Sequence, residues 1–255
     1  MRKVDVIVLA GAPAGAEMAP EGGVASRAMI PLAGKSMLRW VVDALRGASS
    51  VGRIAAVGEV AAEGLDIVVA PGENLIENIK RGIEALEAKE PVLIASSDIP
   101  LLTAEAVEDF IERASKLDAD FAYPIVPRAH CEARYPGMAR TYLKTGDGVF
   151  TGGNIMLVSP EFVLRNWQTI ADAYTARKQV LKLARMIGIG VLLRVLLAQV
   201  VPGALKVPML ERAASRMVGG RVAAVVSAYP EIGEDVDKPA DLEAVRKLLA
   251  SGGAR

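Results

Sequence analysis

Disulfide chemistry within this chain is excluded, because Cys131 is its only cysteine and one thiol has no partner. A single thiol fits a reducing compartment. His130 is likewise the only histidine, which excludes a zinc site or proton relay built from several imidazoles. Aromatic residues are scarce, at 4% against 52% apolar. The core must therefore be built from Ala, Val, Leu and Ile, a composition that suits a parallel sheet covered by helices. Charge of one sign is not in excess, since 30 Lys and Arg balance 30 Asp and Glu. Nothing in that balance calls for nucleic acid as a partner. Met1-Arg2-Lys3 is not followed by a signal-peptide apolar region, because the short run behind it leads into glycine. The expected location is therefore cytoplasmic. With no internal repeat or low-complexity linker, 1–255 is expected to form one domain.

What is present begins with Val4 to Lys35. The β-rich run Val4, Val6, Ile7, Val8, Leu9 stops at Ala10 and Gly11. Such a run reads as a strand buried on both faces, and the small residues after it let backbone N–H groups approach a ligand. A loop of about a dozen residues leads to a helical pattern through Met37, Leu38, Val41 and Leu45, which completes a phosphate-binding βα unit. Further strands are expected at Val51–Val57, Asp66–Ala70, Pro91–Asp98, Phe121–Val126, Asn154–Val158 and Val222–Ser227. Between them lie helices after Asn74, Thr103 and Pro160, with a last one from Pro239. Asn74 and Thr103 are N-cap residues and Pro239 suits the first helical position. Residues 127–150 read as a loop and a hairpin turn, in which His130 and Cys131 lack the spaced partners a metal needs. The alternation predicts an α/β fold, an open, mostly parallel, doubly wound, Rossmann-like sheet. Ligands on such sheets sit beyond the C-terminal ends of the strands, where Gly11, Gly72 and Asp98 all fall.

Two acidic points stand out, Asp98 at a strand end and Asp237 before the last helix. Mg²⁺ takes one or two carboxylates and leaves its other positions to water and phosphate. The plain alternatives are a turn cap for Asp98 and a helix-dipole partner for Asp237. Residues 176–218 differ from the rest: Arg177, Lys178, Lys182, Arg185, Arg194, Lys206, Arg212 and Arg216 face only Glu211. A basic, apolar helical insertion is expected there. It could cover the sheet or a dimer interface, or lie on a membrane surface and serve a lipid-derived acceptor. Spanning a membrane is disfavoured by Arg194 in the middle of the apolar run.

Four segments in order carry a resemblance. Leu9-Ala10-Gly11, Arg27 through Gly34-Lys35 to Leu38, Ser97-Asp98-Ile99-Pro100, and Asp235-Val236-Asp237 through Leu242 resemble the GT-A type nucleotidyltransferases. These are relatives of the molybdenum-cofactor nucleotidyltransferases and of the sugar-phosphate and methylerythritol-phosphate cytidylyltransferases. The resemblance covers 1–160 and 220–250. It implies transfer of NMP from an NTP, CTP or GTP, to a small phosphorylated or hydroxyl acceptor, with release of pyrophosphate and Mg²⁺ as cofactor. By position, Leu9, Ala10, Gly11, Gly72, Asn78 and Asp98 would hold the nucleotide, and Asp98 and Asp237 the metal. Arg27, Lys35 and Asp98 would be catalytic, while Gly153 and Asn154 would face the acceptor. Two departures are visible: Glu17 precedes Met18 where the family carries Arg, and Arg27 replaces its usual Lys. Arg keeps the charge and grips phosphate through two donors. Alternatives are a glycosyltransferase that reads Asp235-Val236-Asp237 as a metal-binding pair, and a nucleotide-binding regulator without turnover.

Overall fold

The computed structural model describes residues 3–15, 17–18, 24–176 and 186–251. Its centre is a sheet in which β1 (Val4–Leu9) lies between β4 (Val51–Val57) and β6 (Val92–Ser96), with β5 (Ile67–Val69) outside β4. All of these pair in parallel. Alternate residues of β1 enter opposite cores: Val6 and Val8 on one face, Ile7 on the other. That two-sided burial is why the run is uninterrupted by polar residues after Asp5.

The first core takes Leu38 and Val41 of α1 (Met37–Gly47) and Phe110 and Ile111 of α3 (Ala104–Ser115). The second takes Ile76, Ile79 and Ile83 of α2 (Leu75–Ala85) and Phe162 of α5 (Pro160–Ala176). The caps form as expected. Asn74 accepts from the N–H groups of Ile76 and Glu77, both at 3.0 Å, and Thr103 accepts from Ala106 at 3.2 Å. α2 lies close on β1 because residue 82 is glycine. A Cβ there would stand 2.5 Å from Ile7 Cγ2.

Beyond β6 the sheet becomes mixed. β10 (Ile155–Val158) runs antiparallel between β6 and β7 (Phe121–Pro127), and β11 (Val222–Val226) pairs in parallel with the other edge of β7. β8 (Leu143–Thr145) and β9 (Gly148–Gly152) form the expected hairpin. Gly153 and Asn154 break β9 from β10, and both strands pair with β7. One part of 127–150 differs from expectation: Arg128–Arg134 is a helix, α4. It is too short to show a periodic apolar face, and it buries Cys131 while His130 stays exposed. A small antiparallel pair, β2 (Pro31–Leu32) and β3 (Lys35–Ser36), precedes α1.

Of the expected insertion, Arg177, Lys178, Lys182 and Arg185 lie outside the described residues. The described part contains α6 (Ile189–Leu197) and α7 (Val207–Val218), and α7 packs over β11 and against α5. Among the described residues no helix is long and apolar enough to cross a membrane. The last helix, α8 (Pro239–Ala250), joins a third core at the C-terminal edge of the sheet. There Met18, Leu32, Met37, Leu101, Val236 and Val245 are buried together.

Candidate active site

The winding reverses between β1 and β6, so the crevice beyond their C-terminal ends is the topological switch point where such sheets bind ligands. The Ser97 N–H donates to the Leu9 carbonyl at 3.2 Å and locks the two strand ends together. Ala10 is also committed to the fold. Its N–H donates to Val57, and its carbonyl accepts the Ser26 hydroxyl at 2.6 Å. Among the described residues, the N–H groups of Gly11 and Ala12 have no acceptor, which leaves them for a ligand.

Asn78 ties two of the expected nucleotide-binding glycines together. Its Oδ1 accepts from the Gly72 N–H at 2.6 Å. Its Nδ2 lies where a Cβ on Gly11 would approach to 3.0 Å. Gly72 itself lies under the Glu77 side chain, 2.5 Å from Glu77 Cδ to the position of a Cβ. A Cβ at 11 would crowd Asn78 and Pro71, and one at 72 would displace the Glu77 side chain.

Ser26 brings Arg27 back to β1. The Ser26 hydroxyl reaches Ala10, and the Arg27 N–H donates to the Ala12 carbonyl at 2.9 Å. The guanidinium then meets both acids. Arg27 Nη1 lies 2.8 Å from Asp237 Oδ1 and 3.7 Å from Asp98 Oδ2. Asp98 also accepts from the Ser96 hydroxyl. Its backbone carbonyl accepts the Val236 N–H at 2.9 Å, which fixes the segment carrying Asp237. Asp241, in the first turn of α8, accepts from the N–H groups of Asp237 and Lys238 at 3.2 and 2.9 Å.

A second layer carries no local marker in the sequence. Arg140, from the irregular stretch after α4, pairs with Asp235 and lies 3.4 Å from Glu234. Glu234 is 1% exposed, and neither of its oxygens accepts a hydrogen bond among the described residues. Burial raises the Glu234 carboxyl above its usual range, with Arg140 partly opposing the shift. Burial likewise raises Asp98, against the Ser96 hydrogen bond and the Arg27 charge. Asp235 is pushed up to about 6, first by burial and then by Asp237 and Asp98, while Arg140 opposes. Four carboxyl groups thus share two guanidiniums in a partly dry site. No group of three or more metal-ligating side chains occurs among the described residues. A magnesium site needs only one or two carboxylates, and hard oxygen donors suit that ion.

Lys35 sits apart from this group, and Gly153 and Asn154 lie beside it. Lys35 pairs with Asp43 at 2.5 Å and lies 4.6 Å from the Trp40 ring centre. Among the described residues nothing joins it to Arg27, Asp98 or Asp237. Gly153 has a packing reason to be glycine, since a Cβ would stand 2.6 Å from Ile232 Cγ2 and 2.8 Å from Pro124 Cγ. Asn154 donates its N–H to the Ile232 carbonyl at 2.9 Å and accepts from Ser96 N–H at 3.0 Å. It therefore borders the acidic segment. Glu17 is exposed, while Met18 beside it is buried.

Comparison with known proteins agrees with this geometry. The family model described as the MobA-like NTP transferase domain matches residues 6–188. A structure titled as a hypothetical transferase from Thermus thermophilus is 35% identical, with a TM-score of 0.84, over 95% of this chain and 100% of that one. Two others share the fold at low identity. A CMP:2-keto-3-deoxy-manno-octonic acid synthetase complexed with CTP is 15% identical, TM-score 0.62, over 99% of this chain and 100% of its own. A 2-C-methyl-D-erythritol 4-phosphate cytidylyltransferase from Thermus thermophilus is 16% identical, TM-score 0.55, over 97% and 99%. No curated protein matches the chain. A Rossmann-like nucleotidyltransferase fold, the open switch-point crevice and a match across most of the sequence lead to one assignment: the chain belongs to the MobA-like NTP transferase family.

Proposed function

We propose that this protein is a Mg²⁺-dependent nucleotidyltransferase that moves NMP from an NTP, CTP or GTP, to a phosphorylated or hydroxyl acceptor. The observation that carries the reading is the meeting of Asp98 and Asp237 on one Arg27 nitrogen, at 3.7 and 2.8 Å, at the switch point. In the reaction an acceptor oxygen bonds to the α-phosphorus as the bond to the β-phosphate oxygen breaks, and pyrophosphate leaves with that electron pair. Asp98 and Asp237 would hold Mg²⁺, which when bound neutralises charge on the phosphate oxygens. The loop from Leu9 to Gly11, with Gly72 and Asn78, would hold base and ribose. Arg27 would turn from the two acids to the phosphates, offering two donors to the developing charge. Gly153 and Asn154 would border the acceptor. No nucleophilic side chain is required. Binding of the four NTPs with and without Mg²⁺, followed by thermal unfolding, tests the reading. CTP or GTP should raise the melting temperature only with Mg²⁺, and no shift with any NTP would overturn it.

We further propose that α6 and the turn after it touch an anionic membrane surface. Ile189, Leu193, Leu196 and Val200 are 58–83% exposed. No acidic residue lies between Asp172 and Glu211, while six basic residues do. Arg194 lies in α6 and Lys206 just before α7, and anionic headgroups complement that charge.

A further inference from the structure

Between α7 and the far end of the sheet lies a cavity of about 350 Å³. Its walls are mostly apolar. Tyr123, Ile125, Phe150 and Leu143 come from the sheet and hairpin, and Leu210 and Val207 from α7. The sequence makes the hollow by placing Ala214, Ala224 and Gly152 where larger side chains would fill it. Two of the polar groups in the wall are already engaged. Glu211 accepts from the Ala224 N–H at 2.7 Å, and the Thr145 hydroxyl donates to the Gly148 carbonyl at 2.9 Å. Water gains little in such a space, and an apolar chain gains much.

One end of the cavity is polar, where Tyr123 and Gly152 lie toward the segment that begins at Gly233. The Tyr123 hydroxyl has no hydrogen-bond partner among the described residues. It lies so close over Gly152 that a Cβ there would stand 2.3 Å from the oxygen. The Gly152 carbonyl in turn lies 3.3 Å, and Arg140 Nη2 3.4 Å, from where a Cβ on Gly233 would be. Glu234, Asp235 and Asp237 follow directly in the chain. Tyr123 also feels the charges of Asp235 and Arg140, though burial is the main cause of its raised pKa. An apolar pocket that ends in a hydroxyl beside the acidic segment fits a molecule with an apolar chain and a polar head.

We propose that this cavity receives the apolar chain of an amphiphilic phosphorylated acceptor, whose phosphate lies toward Asp98 and Asp237. The proposal rests on the nucleotidyltransferase reading for the acceptor role, but not for the binding itself. Calorimetric titration of the intact protein without nucleotide, using methyl, butyl and octyl phosphate as dispersed monomers, tests it. Affinity should rise by about fourfold per methylene until the cavity is full. Ala214→Leu and Ala224→Leu, which fill the space from opposite walls, should each abolish that gain while the protein stays folded. Equal affinity for methyl and octyl phosphate in the wild type would overturn the proposal without recourse to either variant. So would a gain that survives in both folded variants. Pyrophosphate release, assayed in parallel with CTP and GTP, separates the two readings. Release that is equal on methyl and octyl phosphate, with no calorimetric gain, removes the cavity ligand and keeps the transferase. Chain-length-dependent binding with no release from either NTP keeps the ligand and overturns its role as acceptor.

Discussion

Asp98 and Asp237 are joined through the main chain as well as through a shared cation. The Val236 N–H donates to the Asp98 carbonyl at 2.9 Å, and Arg27 Nη1 lies within 3.7 Å of both carboxylates. The backbone bond holds the main chain that carries Asp237 beside Asp98 whatever Arg27 does.

Arg27 and Lys35 are expected to differ in consequence. Arg27→Met should lower kcat/KM for the NTP by about a hundredfold, the scale of losing one charged stabiliser of the transferring phosphate. Arg27→Lys should recover part of it. Lys35→Met should cost less than about fivefold, because its ammonium is held by Asp43 and Trp40 and exposed pairs contribute little. Steady-state kinetics on the three variants checks this, and a larger loss for Lys35→Met than for Arg27→Met would reverse the assignment.

Asn78 joins fold and site. Removing its side chain leaves the Gly72 N–H without the 2.6 Å acceptor it has now. Asn78→Ala should destabilise the protein by about 1–3 kcal/mol and weaken NTP binding by at least about tenfold. Urea unfolding and nucleotide titration read the two effects separately. A variant that is destabilised yet binds NTP normally would confine Asn78 to a structural role.

Gly82 tests the packing of α2 on β1. Gly to Ala in a helix ordinarily stabilises by about 1 kcal/mol. Here the added Cβ would stand 2.5 Å from Ile7 Cγ2, so Gly82→Ala should destabilise by about 1–3 kcal/mol instead. A rise in melting temperature would show that the helix has room to move.

The membrane contact is tested by flotation with vesicles containing phosphatidylserine. The intact protein should float with them and remain behind with neutral vesicles. Leu193→Asp, Leu196→Asp and Val200→Asp together should abolish flotation with little effect on folding, since all three side chains are exposed. Equal flotation of this variant and the wild type would count against α6.

Much of this arrangement was legible in the residues. The apolar run ending at Gly11, the Asn74 cap and the position of Pro239 each carry a local physical signal, and each marks the edge of the crevice. Asp98 was legible as the carboxylate at the end of an apolar strand, though a turn cap before Pro100 read equally well. Arg140 and Glu234 were not, because ion pairs formed across 94 positions leave no periodicity. The antiparallel course of β10 was equally silent, since an apolar strand reads the same in either direction. Gly153 shows the converse. Its glycine is visible in the sequence, but the contact with Ile232 that calls for it is not.

The central claim is that Asp98 and Asp237 together hold the cation on which transfer depends. Mg²⁺-dependent pyrophosphate release by Asp98→Asn, at saturating NTP and with the acceptor that best supports the wild type, tests it most directly. The account predicts a loss of at least about a hundredfold with the melting temperature preserved. Turnover equal to the wild type would contradict it.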